Sequence, residues 1–269
     1  MNHLAESAIE KFAIKLFERQ GYSYLYGPDI APDGVNPERS HYDEVLLTGR
    51  LEGALHRINP TLSSDFCKSA LKEVKRIQSP YLLANNEAFH RMLTEGVKVS
   101  YQKDGSERGD LVSLIDFAHP ENNEFVVANQ FTVIENNQNK RPDIVLFVNG
   151  IPLVVLELKN AADENATIKS AFRQIETYKQ AIPALFMAWK SADGKAEASH
   201  LVSQLETLIM GMLNKATLLD LLRHFIVFEK SKKGRSRYRY CHHHVSEKAG
   251  CLSPVLCSQC CSSFDPSGS

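Results

Sequence analysis

The stretch "RPDIVLFVNGIPLVVLELKN", residues 141–160, decides how this chain folds. Two aliphatic runs, "RPDIVLFV" and "IPLVVLELK", flank Asn149-Gly150, a dipeptide that signals a β-hairpin. Each run also carries charge that an apolar core rejects: Asp143 at the mouth of the first, Glu157 and Lys159 in the second. Glu157 and Lys159 are two apart on a strand, so they project from one face while Leu156 and Leu158 project from the other.

The length of the loop decides whether Asp143 joins them. A two-residue loop at Asn149-Gly150 pairs Val148 with Ile151 and Asp143 with Leu156, which puts Asp143 on the face opposite Glu157. A three-residue loop, Val148-Asn149-Gly150, with Gly150 left-handed in a G1 bulge, pairs Asp143 with Val155 and gathers all three charges on one face. The expectation is the three-residue loop. Two carboxylates beside an amine form an oxygen-ligand site for Mg²⁺, which takes one or two carboxylates and keeps several waters. Such a site supports phosphodiester hydrolysis, the metal activating a water and Lys159 orienting the nucleophile or offsetting developing charge. Spacing alone leaves a second reading open, a Glu-Lys pair at a solvated strand end with Asp143 capping a turn.

Outward from the hairpin, "VKVSY", "LVSLIDF" and "EFVVANQFTVIE" read as three strands, separated by polar turns at Lys103 to Asp110 and His119 to Asn123. Helical spacing marks Leu4 to Gln20, with Gly21 as its stop, and a helix through Leu47, Leu51, Ala54, Leu55 and Ile58 that ends at Asn59-Pro60. Further helices are expected at Ser64 to Ile77, Asn85 to Leu93, within "NATIKSAFRQIETYKQAI", and around Leu201 to Leu213 and Ala216 to Phe228. "GPDIAPDGVNPERS" reads as a loop. The fold class is therefore α/β or α+β, a mixed sheet with helices on its faces.

With 269 residues, 43% of them hydrophobic, the chain can bury a substantial core. A formal net charge of -1 carries no general basic excess, so nucleic-acid binding has to come from a local patch. No apolar run is long enough to span a membrane and the N-terminus lacks a signal peptide's apolar core, so a cytoplasmic location is expected. Of six cysteines only Cys67 precedes residue 240, which suits a reduced body.

With Pro142-Asp143 and Glu157-Leu158-Lys159, the hairpin resembles the PD-(D/E)xK nuclease signature. The surrounding "NQFTVIENNQNKRPDIVLFVNGIPLVVLELKN" and "AFRQIETYKQAIPALF" resemble the N-terminal nuclease domain of the restriction (R, HsdR) subunit of type I restriction-modification enzymes. "YGPDIAP", "INPTL", "NNEAFHRMLTEGVKV", "LIDFAHPENNEFVVANQ" and "LLDLLRHFIVFE" extend the resemblance over roughly residues 4 to 229. It implies a restriction-endonuclease-like core with an N-terminal helical layer and a C-terminal helical connector. It implies Asp143, Glu157 and Lys159 as the catalytic set, with Asp143 and Glu157 on the metal. Gln174 and Tyr178 match a QxxxY motif associated with nuclease activity, and their spacing of four puts them on one helix face. Related nucleases place a first-helix glutamate near the metal, for which Glu10 is the candidate and Glu6, one turn earlier, the second. Asp116 reads as a strand-end turn partner ahead of a further site acid.

By the same resemblance the expected cofactor is Mg²⁺, with ATP used by the complete R subunit and not by this chain. The expected partners are double-stranded DNA and the modification and specificity subunits, with no membrane. The expected organisation is a helical part at 1–95, the nuclease core at 96–190, a connector at 191–229 and a tail without order at 230–269.

Two features depart from the family. The passage from Phe186 to "MAWKSADG" leaves no length for the strand that family members place there, and no GxxxxGK[ST] phosphate loop occurs. The expectation is a fragment without the motor lobes, a weak or silent nuclease by itself. The cysteines and histidines of the tail, Cys241 to Cys261, read as incidental rather than as a zinc site. The rival functions are a stand-alone repair or junction nuclease, active without ATP, and an inactive assembly module.

Overall fold

Continuous aliphatic runs form strands only where both faces of a sheet are covered, and two strands here meet that condition. Phe125–Asn129 (β4) and Ile144–Val148 (β7) are buried at every residue. They pair antiparallel, Phe125 opposite Val148 and Asn129 opposite Ile144. The computed structural model describes residues 2–76, 79, 81–103, 106–158, 204–226 and 228. These fall into two compact units, one of residues 21–155 and one of residues 2–20, 156–158, 204–226 and 228.

In the first unit Ser23–Tyr26 (β1) lies parallel to β4, and Ile151–Leu156 (β8) follows β7, giving a four-stranded mixed sheet in the order β1-β4-β7-β8. The mixed α/β architecture agrees with the sequence reading. β1 has no counterpart in that reading, because "SYLY" is a short edge strand whose two tyrosines stay exposed and leave no apolar pattern. Thr48–Ile58 (α2) and Ser64–Lys75 (α3) bury Leu51, Ala54 and Leu55 and Cys67, Ala70 and Val74 respectively. Leu82–Glu95 (α4) ends at Gly96, whose φ of 89° with ψ of 168° is a conformation that glycine adopts and other residues avoid.

The segment expected as a turn at Lys103 to Asp110 is mostly strand. Val97–Lys103 (β2) and Ser106–Val112 (β3) form a long hairpin with Val97 opposite Val112. Ser113 to Phe117, expected as strand, leaves the ladder because the Asn59 side chain takes the place of a strand partner. Its Oδ1 accepts from the Ser113 amide at 2.9 Å and its Nδ2 donates to the Ser113 carbonyl at 2.9 Å. "EFVVANQFTVIE" is broken at Gln130, and Val133–Glu135 (β5) pairs instead with Gln138–Lys140 (β6).

The hairpin between β7 and β8 corrects the expected loop. β7 ends at Val148 and β8 begins at Ile151, and Asn149 and Gly150 have φ of 53° and 77°. Two positive φ values in a two-residue connection make a type I′ turn, not a three-residue loop with a G1 bulge. The turn is held by its surroundings. Asn149 is fully buried, donating from Nδ2 to the Leu114 carbonyl and Asn123 Oδ1 and accepting at Oδ1 from the Glu124 amide at 2.8 Å. The Gly150 carbonyl accepts from the Leu47 amide at 2.9 Å, and a Cβ at Gly150 would stand 2.5 Å from the Leu47 carbonyl oxygen.

In the second unit Asn2–Arg19 (α1) buries Ala13, Leu16 and Phe17, and Gln20 donates from Nε2 to the Ile209 carbonyl at 2.7 Å. Gln204–Thr207 (α5) runs into a π-helical turn, Leu208–Met212, and Asn214 caps Lys215–His224 (α6) by accepting from the Thr217 amide. Among the described residues no helix is long and apolar enough to cross a membrane. The expected helix over "NATIKSAFRQIETYKQAI", the region after Phe186 where a strand was expected to be missing and the 230–269 tail lie outside the described residues.

Candidate active site

Asp143 immediately precedes β7 and Glu157 immediately follows β8. Asp143 is half-buried, whereas Glu157 is only 6% exposed, a carboxylate drawn into the protein at the end of an aliphatic strand. The type I′ turn removes the argument that put Asp143, Glu157 and Lys159 on one face by counting from a three-residue loop. Strict alternation is itself lost after Leu153: Val154 and Val155 are both half-buried, and Leu156 and Glu157 are both buried. Counting residues from the turn therefore does not fix the face of Glu157.

The surroundings of Asp143 are built by three strand ends. Tyr26 of β1, Asn129 of β4 and Ile144 of β7 lie side by side. The Tyr24 hydroxyl donates to Asn129 Oδ1 at 2.9 Å. β4 breaks off at Gln130, whose φ is 55°, and the Gln130 amide donates to the Asp143 carbonyl at 3.3 Å. A left-handed backbone costs a non-glycine residue about 1–2 kcal/mol, so the packing around residue 130 has to impose it. Gly27 contributes from one side: its amide donates to the Asn129 carbonyl at 2.9 Å, and a Cβ there would stand 2.5 Å from the same oxygen.

Arg39 contributes from the other. It is 4% exposed, its guanidinium lies 3.9 Å from the centre of the Phe131 ring, and Nη1 donates to the carbonyls of Thr132 and Glu44. Its Nε and Nη2 are buried without a hydrogen-bond partner. Burial lowers its pKa to about 10, against the opposing pull of Tyr42 and Glu44. Through Nη1 and its stacking on Phe131, Arg39 ties residues 39–44 to residues 131–132.

Asp116 is the turn partner the sequence reading favours. Its Oδ1 accepts from the amides of Ala118 and His119, and its Oδ2 from Asn122 Nδ2 at 2.8 Å. Burial pushes its pKa up, and these three hydrogen bonds together outweigh burial, so the net shift is downward. Glu10 is half-buried on α1, and Glu6 lies on the same helix. Lys159, Gln174 and Tyr178 lie outside the described residues. Among the described residues no three His, Cys, Asp or Glu side chains group closely enough to hold a metal ion. Sequence reasoning missed Gln130, Gly27 and Arg39, since a left-handed residue, a close backbone approach and a buried arginine within a loop leave no periodic signal.

The family model for the N terminus of the type I restriction enzyme R protein matches residues 3–215. The chain belongs to this family. The type I restriction enzyme HindI endonuclease subunit of Haemophilus influenzae is 32% identical over 87% of this chain, which spans 25% of that protein. The putative type I restriction enzyme MjaIXP endonuclease subunit of Methanocaldococcus jannaschii is 29% identical over 86% of this chain and 26% of its own length. The chain thus spans about a quarter of these relatives. The family match takes in Glu10, Asp143, Glu157, Lys159, Gln174 and Tyr178 and stops before the cysteine-rich tail. As an R-protein N-terminal region, the chain is related to subunits named as endonucleases.

Proposed function

We propose that this chain is a PD-(D/E)xK nuclease region that hydrolyses DNA phosphodiester bonds with Mg²⁺, as the cleavage part of a type I restriction complex. The observation that carries the reading is a hairpin bracketed by Asp143 and Glu157, the latter a buried carboxylate where an aliphatic strand ends. Placing a carboxylate there is costly unless cations or donors compensate it, and the Lys159 amine follows two residues later. Two carboxylates are the hard oxygen donors that Mg²⁺ takes, so the residues fit the ion.

Asp143 and Glu157 would hold the metal, with waters completing its shell. When bound, Mg²⁺ supplies charge neutralisation at the scissile phosphate and acidifies a water. Lys159 orients the attacking water and offsets charge on the phosphate oxygens, and Gln174 and Tyr178 position the substrate. DNA is delivered by the modification and specificity subunits and an ATP-using motor, and the site of action is the cytoplasm.

A chimera tests the reading. This chain would replace the matched quarter of the Haemophilus influenzae subunit, assembled with modification and specificity subunits. Unmodified plasmid should be cut with Mg²⁺ and ATP, and Asp143→Ala, Glu157→Ala or Lys159→Ala should each slow cutting by about 100-fold or more. Undiminished cutting by Asp143→Ala would overturn it.

A further inference from the structure

We infer that Gln130 is a positioning residue for Asp143, fixing its main chain so that the carboxylate meets a divalent cation from a set place; this rests on the nuclease reading of Asp143. Four described non-glycine residues have positive φ. Asn136 and Asn137 form the turn between β5 and β6 and Asn149 the turn between β7 and β8, and asparagine tolerates this conformation. Gln130 has neither excuse. It occupies no hairpin turn, and glutamine lacks the short side chain that eases asparagine into the left-handed region.

The chain on both sides of Gln130 is immobilised. Asn129 is tied to Gly27 through its carbonyl and to Tyr24 through its side chain. Phe131 lies under the Arg39 guanidinium, and the Thr132 carbonyl accepts from Arg39 Nη1 at 3.0 Å. Between these fixed points the Gln130 amide makes one hydrogen bond to the Asp143 carbonyl, beyond the last pair of the β4–β7 ladder, Asn129 with Ile144. Asp143 is thereby held as though still in the sheet, while β4 turns away instead of continuing beside it. A strained backbone held from both sides next to a candidate metal ligand fits preorganisation of that ligand.

The test is calorimetric Mg²⁺ titration of the full chain. Gln130→Val places a β-branched residue where φ is 55°; Asn137→Val imposes matching strain at φ 61°, in the turn between β5 and β6. Gln130→Val should weaken Mg²⁺ binding by about tenfold or more, the usual effect of losing a group that orients a metal ligand, while Gln130→Asn and Asn137→Val bind as the native chain does. Should Gln130→Val fail to fold, Gln130→Gly decides in its place: it accepts the φ but frees the backbone, and weaker binding is expected.

Native-like affinity in the deciding variant, with binding abolished by Asp143→Ala, overturns this inference and leaves the nuclease reading standing. Equal weakening by Gln130→Val and Asn137→Val overturns it too, as a general effect of strain. Mg²⁺ binding that is absent from the native chain, or survives Asp143→Ala, removes the nuclease reading and this inference together.

Discussion

Gly150 shows how one residue couples a turn to a helix. Its φ of 77° and the 2.5 Å that would separate a Cβ from the Leu47 carbonyl oxygen exclude any side chain. Gly150→Ala should lower stability by at least about 1–2 kcal/mol from φ alone, with the clash added, read as a reduced denaturant midpoint at unchanged slope. An unchanged midpoint would contradict the packing described. Asp116 sets a pH dependence. Its folded pKa lies below the ordinary 3.8, so its stabilisation is present above that value and is lost as pH falls through the lower, folded one. The stability gap between the native chain and Asp116→Asn should be constant above about pH 5 and narrow below about pH 4; a gap unchanged at about pH 2 would refute the hydrogen bonds assigned to its carboxylate.

At the scale of elements, the hairpin of β7 and β8 is where reading the sequence succeeds and fails at once. β7 was legible because burial at every residue writes a continuous aliphatic run, and Asn149-Gly150 marked the turn into β8, which is half-buried at Pro152, Val154 and Val155. The loop length was legible too, since Asn-Gly favours a two-residue turn, but the expectation followed the charges instead. The long-range bonds of Asn149 to Leu114, Asn123 and Glu124 decide the matter, and none of them can be read locally. The same holds for Asn59, which ends β3 by taking up Ser113, and for the edge strand β1, which gains its order from β4. Asn149→Gly, which keeps the backbone but leaves buried groups unbonded, should cost about 2–3 kcal/mol, and Asn149→Ala about 1 kcal/mol more. Thermal unfolding of the two variants checks the order, and a neutral Asn149→Gly would show that the backbone alone makes the turn.

At the scale of the whole molecule, family membership was legible from motifs spread along the chain, and the match over residues 3–215 bears it out. The site was legible only as residue types: Asp143 and Glu157 bracket one hairpin, but the shared face argued from a three-residue loop does not follow from the turn observed. The supporting residues Gln130, Gly27 and Arg39 emerge only from tertiary packing. We propose that Asp143 and Glu157 hold a catalytic Mg²⁺. The most direct test is a Mg²⁺ titration followed by heteronuclear NMR, comparing the native chain with Asp143→Ala. Saturable shifts at Asp143, Glu157 and Lys159 that vanish in the variant are the predicted result, and a dispersed spectrum that Mg²⁺ leaves unmoved would contradict it.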